Sequence, residues 1–306
     1  MQSVGPIHVE DAEYRLVLNE HGVVYAVDAI VGVSDPSEWP TVTADPSSGV
    51  KVAINSIRPR LDRIKTNLRT VQGLLALYGL EQIDLDFVDE NWEPESDEER
   101  SRLDVFRLSR SRSTRTDDDR EYMAFDIVAR AFLASNDALP IQIALSFNRK
   151  GFCDFLKENH IEAIYNYYFM LESLYATGKT KNHRVEEAIR NSVQFQAAVS
   201  ALLSQADPIE GFAPTRKVRE DFAVRYSGKT PREVAEHLVR LRGFLHHHTA
   251  GRPGMWHPEE HEDYAADAMF LVLLAHNICW QLSKECMFSD LAVERYRSLL
   301  RKNGAQ

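Results

Sequence analysis

At 306 residues the chain is long enough for about two domains of ordinary size, each with its own buried core. A composition of 44% hydrophobic and 27% charged residues excludes the disordered and fibrous classes, and a formal net charge of −10 speaks against a broad basic surface for duplex nucleic acid. The acidity is N-terminal: residues 1–159 hold 18 Lys and Arg against 28 Asp and Glu, whereas residues 160–306 hold 18 of each and 9 of the 11 histidines. The neutral second half, unlike the first, leaves room for a small anion site or an RNA site.

Residues 14–18 and 23–33 read as two strands joined by Asn19-Glu20-His21-Gly22, which has the residues a hairpin turn requires. Leu61, Ile64, Leu68, Val71, Leu75 and Tyr78 then recur at helical spacing, with Pro59 in the first turn and Gly79 as the stop. Short strands are expected at 83–87 and 105–108 and a helix at 122–133. Ile141, Ile143, Leu145 and Phe147 alternate as a half-buried strand would. The arginine-rich stretch 107–115, with acidic runs on either side, reads as a solvated edge strand or loop.

From His160 onward the pattern is helical. The apolar stripe of Ile161, Ile164, Tyr165, Tyr168, Leu171 and Tyr175 includes one carboxylate, Glu172, at a core-facing position. A second helix is expected over 185–203. Thr230-Pro231-Arg232-Glu233 is a start signal with a capping box, opening a third helix that buries Val234, Leu238, Leu241 and Leu245. A fourth begins near Pro258 and continues past Cys286; its apolar run over 265–282 is interrupted by Asp267, His276, Asn277 and Gln281 and is not read as a membrane span. The expected fold class is α+β: a mixed α/β domain over residues 1–152, of unassigned role, followed by an all-α bundle over 153–306. No secretion signal opens the chain, and Cys153, Cys279 and Cys286 form no CxxC pair, so a reducing, cytoplasmic setting is expected.

The densest group of reactive side chains is Arg240-Leu241-Arg242-Gly243-Phe244-Leu245-His246-His247-His248. Arg240 and His247 share a helical face, as do Arg242 and His246. Arg242 and His247 lie about 140° apart on an ideal helix, so they converge only if the helix ends early or a second subunit completes the site. Arginine can hold a phosphate, and histidine can exchange a proton near neutrality. Together they can cut RNA without metal: the histidine moves the proton as a 2′-hydroxyl attacks the adjacent phosphorus, and the arginine stabilises the charge on the phosphoryl oxygens. Glu172 is the supporting carboxylate. No cofactor is called for.

A metal reading rests on His257 and His261, four apart, with His248 as a third ligand. Gly178-Lys179-Thr180 and Gly228-Lys229-Thr230 resemble the end of a phosphate loop, but Ser173 and Ala223 stand where its first glycine belongs.

Residues 155–290 resemble the HEPN superfamily of helical domains, and most closely its ApeA-like branch. The resemblance rests on the aromatic helix 163–175 and on an Arg followed, after four to six residues, by His. Arg242 to His247 or His248 fits that spacing, as does Arg240 to His246 or His247. The segment from Arg242 through Trp256-His257-Pro258 to Tyr264-Ala265-Ala266-Asp267-Ala268 is also similar to the methylamine-utilization MauJ family. The first resemblance implies a helical bundle that dimerises, with Arg and His of two subunits facing a shared cleft, and RNA as the ligand. Gly243 departs from the polar residue that many active members carry after the arginine. The competing expectation is a non-catalytic accessory protein of the MauJ type, whose acidic N-terminal domain meets a protein partner; neither reading involves a membrane.

Overall fold

The computed structural model describes residues 2–45, 51–55, 59–85, 88–108, 123–205, 215–246, 257 and 261–303. In chain order the strands and helices begin with β1 (Gln2–Val9), β2 (Ala12–Leu18), β3 (Val23–Val31), β4 (Thr41–Asp45), β5 (Lys51–Asn55) and α1 (Pro59–Leu75). There follow β6 (Glu90–Asn91), α2 (Asp97–Arg102), β7 (Arg107–Leu108), β8 (Met123–Ala124), α3 (Phe125–Ala134) and α4 (Gln142–Leu156). The remainder is helical: α5 (His160–Tyr175), α6 (Asn182–Asn191), α7 (Val193–Leu203), α8 (Arg216–Tyr226), α9 (Pro231–His246), α10 (Ala265–Met287) and α11 (Asp290–Lys302). The architecture is α+β, a small antiparallel sheet followed by helices.

The chain forms two compact units, one of residues 1–72, 82–136 and 290–306, the other of 73–81 and 137–289. The boundary expected at 152/153 falls inside α4.

In the first unit an antiparallel sheet runs in the order β1-β2-β3-β8. The β2–β3 hairpin forms where the turn residues indicate: Asn19 Oδ1 accepts from the backbone N–H of His21 (2.9 Å) and Val23 (3.2 Å), and Gly22 takes φ 72°. Ala12, Tyr14, Leu16 and Leu18 alternate into the core, and the Tyr14 ring meets Phe132 of α3 at 5.0 Å. The first strand is missed by the sequence reading because Gly5-Pro6 breaks its alternation, seen as a register shift between Val4 and Ile7. α1 is as expected, closing in a 3-10 turn at Ala76–Tyr78 with Gly79 left-handed at φ 94°. Residues 83–85 are irregular rather than extended, and 109–122, which carry most of the arginine stretch, lie outside the described residues. β7 pairs with β6 in a ribbon of two strands.

The second unit is a helical bundle around α10, whose Phe270, Leu274, Ile278 and Cys279 are fully buried. Burying each large apolar side chain here contributes roughly 1.5–3 kcal/mol. Two sequence expectations are corrected. Residues 141–147 are not a strand but the start of α4: Ile143 is 64% exposed while Ala144, Leu145, Asn148 and Gly151 face inward at helical spacing. Four alternating residues are too few to separate the two periods. Close approach decides, since a Cβ at Gly151 would stand 2.9 Å from the Tyr167 ring of α5. The helix expected over 185–203 is two, because Ser192 is extended and its Oγ accepts from the Phe195 N–H at 3.2 Å, capping α7. Among the described residues one helix, His261–Met287, is long and apolar enough to cross a membrane by length and composition, and 61% of its apolar window is buried inside the protein.

Candidate functional site

Of the candidate residues, Arg240, Arg242 and His246 stand on α9, whose start is fixed as its sequence indicates. Thr230 Oγ1 accepts from the Glu233 N–H at 3.3 Å, and Glu233 Oε2 accepts from the Thr230 N–H at 2.8 Å, the reciprocal pair of a capping box. Val234, Leu238, Leu241 and Leu245 are buried along one stripe, which orients the two flanks of the helix. Arg240 and Arg242, two residues apart and so about 200° apart around the axis, stand on different flanks.

Arg242 lies on the α5 side. Its guanidinium is 5.7 Å from the centre of the Tyr168 ring, a cation–π arrangement, and among the described residues its buried Nε has no hydrogen-bond partner. Burial pushes the Tyr168 hydroxyl up to about 12, with Glu172 pushing the same way and Arg242 opposing both. Tyr165 is also raised, by burial first, and Arg242 again opposes. Arg242, Tyr165, Tyr168 and Glu172 thus share one electrostatic neighbourhood. Glu172 is half-buried, and among the described residues no ion pair within 4 Å joins it to Arg242. His246 is the last, exposed residue of α9. His247 and His248 lie outside the described residues. A Cβ at Gly243 would meet nothing within 4 Å, so space does not require glycine there.

Arg240 belongs to a second constellation that the sequence reading missed. Asp267, the carboxylate interrupting the apolar run of α10, is 1% exposed. It accepts from Tyr226 Oη at 2.5 Å, from His237 Nε2 at 2.8 Å and from Arg225 Nη1. Burial works to raise the Asp267 pKa, but the His237 hydrogen bond, the Arg225 charge and the Tyr226 hydroxyl outweigh it, and the carboxyl sits below its ordinary range. An ionised carboxylate only accepts, so His237 carries its proton on Nε2. Arg225 also donates to the Asp263 carbonyl at 3.0 Å. Beside this cluster a pocket of about 320 Å³ is lined by Arg225, Lys229, Glu233, Glu236, His237 and Arg240 among others. The signal in the sequence is the lone Asp inside an apolar run: such a charge must find donors, and Arg225-Tyr226 and His237 are the polar positions on the apolar faces of two neighbouring helices.

The metal reading gathers little here. His257 is exposed, and His261 stands 3.7 Å from Glu162 while its carbonyl meets His160 Nδ1 at 3.1 Å. Among the described residues no group of three or more His, Cys, Asp and Glu could hold a metal ion.

Comparison with protein-family models, curated proteins and solved structures gives no match for this chain.

Proposed function

We propose that the helical unit binds RNA and cuts it without metal, with Arg242 holding the scissile phosphate and His247 moving the proton of the attacking 2′-hydroxyl. The single observation behind this reading is the buried Arg242 Nε without a partner, one turn before the 246–248 histidines. A buried guanidinium donor left unsatisfied carries a penalty of roughly 1–3 kcal/mol, which an incoming phosphate oxygen removes. Tyr165, half-buried and within reach of the Arg242 charge, supplies aromatic surface of the kind single-stranded nucleic acid uses for stacking, whereas Tyr168 is buried. Glu172 supports the arginine through its field, and His246 is the alternative base from the same helix end. The HEPN resemblance adds a homodimer in which two such ends face one cleft.

The test is cleavage of labelled single-stranded and structured RNAs in EDTA by the parent chain, Arg242→Ala and His247→Ala, with analysis of the product ends. Cyclic phosphate ends from the parent, reduced by about 100-fold or more in either variant, are expected. Intact RNA with the parent chain overturns the reading in favour of a non-catalytic interaction protein.

A further inference from the structure

The pocket beside Asp267 has features that RNA cleavage at Arg242 does not use. Its acidic side chains are already engaged. Glu233 accepts from the backbone N–H and the hydroxyl of Thr230, both at 2.8 Å. Glu236 accepts from Arg232 Nε at 2.8 Å, and Asp267 below takes its three donors. Arg225 is likewise spent on Asp267 and the Asp263 carbonyl.

The side chains left uncommitted toward a ligand are cationic or imidazole, standing beside the Glu233 and Glu236 carboxylates. Arg240 and Lys229 are exposed, and among the described residues neither side chain makes a hydrogen bond or ion pair, although Lys229 lies in the field of Glu233. His237 commits Nε2 to Asp267, and among the described residues its Nδ1 has no hydrogen-bond partner. It presents Nδ1 to a ligand, as an acceptor in the neutral ring and as a donor when both nitrogens carry protons. Lys229 belongs to the Gly228-Lys229-Thr230 segment, with Gly228 left-handed at φ 71° immediately before α9. Because Glu233 already occupies the helix N-terminus, the ligand is held by side chains and not by a cradle of amides as in a complete phosphate loop. The volume, about 320 Å³, lies at the lower end of small-ligand pockets, roughly 300–1,000 Å³.

We infer that this pocket binds a phosphate group, with Arg240 and Lys229 taking its oxygens and the Asp267-anchored His237 giving the third contact. The inference does not rest on the Arg242 reading, since Arg240 and Arg242 stand on different flanks of α9.

The experiment titrates the full chain with inorganic pyrophosphate by calorimetry and follows the histidine ring resonances by NMR. Expected are saturable one-to-one binding, a shift of the His237 signal, and a weakening of about tenfold or more in Arg240→Ala and in Lys229→Ala, the loss of one charge-assisted contact. Both positions are exposed, so both variants are expected to keep the parent's unfolding temperature, and that is measured alongside. No saturable binding, or binding that neither substitution weakens, overturns the inference. Short oligoribonucleotides with and without a 5′-phosphate then identify the source. Tighter binding of the phosphorylated one points to a terminal phosphate, and equal binding of both points to the backbone. Binding of neither, with pyrophosphate still bound, points to a small phosphorylated molecule. Intact RNA in the cleavage assay together with pyrophosphate binding removes the Arg242 reading and leaves this one standing.

Discussion

Two flanks of the same helix treat buried polar groups in opposite ways. On one, His237 joins Arg225 and Tyr226 around Asp267, and the carboxylate finds three donors on two helices. On the other, Arg242 enters a half-buried place beside Tyr168 with its Nε unpaired. A satisfied network ties α8, α9 and α10 together, whereas a buried donor left unpaired among the described residues carries a standing cost. The contrast separates a carboxylate whose hydrogen bonds are all taken from a guanidinium with one donor unused, although both are charged side chains on α9 or facing it.

The comparison breaks most visibly at Asp267. Asp267→Ala strands the Arg225 charge and two further donors, and thermal or urea unfolding is expected to register a loss of about 3 kcal/mol. A loss below about 1 kcal/mol would mean that the network contributes little.

Titration reaches the same interaction without a substitution. The folded pKa of Asp267 lies below its unfolded value, so the carboxylate contributes its full stability above the ordinary carboxylate range and loses it as pH falls through the depressed folded value. Urea unfolding measured from about pH 5 downward is expected to show this loss in the parent and a flatter dependence in Asp267→Ala.

Tyr226→Phe removes one donor and leaves the ring stacked on Phe270 at 3.9 Å. The expected loss is about 1.5–3 kcal/mol, the range for a hydrogen bond to a charged group.

The smallest effect on stability is expected from Arg242→Ala, within about 1 kcal/mol, because relief of the unpaired Nε offsets the lost contact with Tyr168. The same variant is the one expected to lose RNA cleavage. A large loss of stability there would erase the distinction between the two flanks.

The hairpin, α1 and α9 are legible in the sequence because each carries its own local instructions. Asn19 and Gly22 make the turn, Gly79 ends α1, and Thr230 with Glu233 starts α9, all through contacts within a few residues. α4 was misread since its alternation is local and its packing is not: only the Tyr167 ring against Gly151 reveals which faces are inward. The break at Ser192 was hidden by apolar residues that continue the helical spacing across it.

The candidate site divides in the same manner. The order Arg240, Arg242, His246 to His248 is a property of the sequence, and the helical period alone already sends Arg240 and Arg242 to different flanks. What each flank meets is settled only by tertiary structure. Asp267 is 30 residues from His237 and 41 from Tyr226 along the chain, so no local pattern joins them. A buried charge is tolerated only where several elements bring donors to one point, and that convergence is a property of the packed bundle.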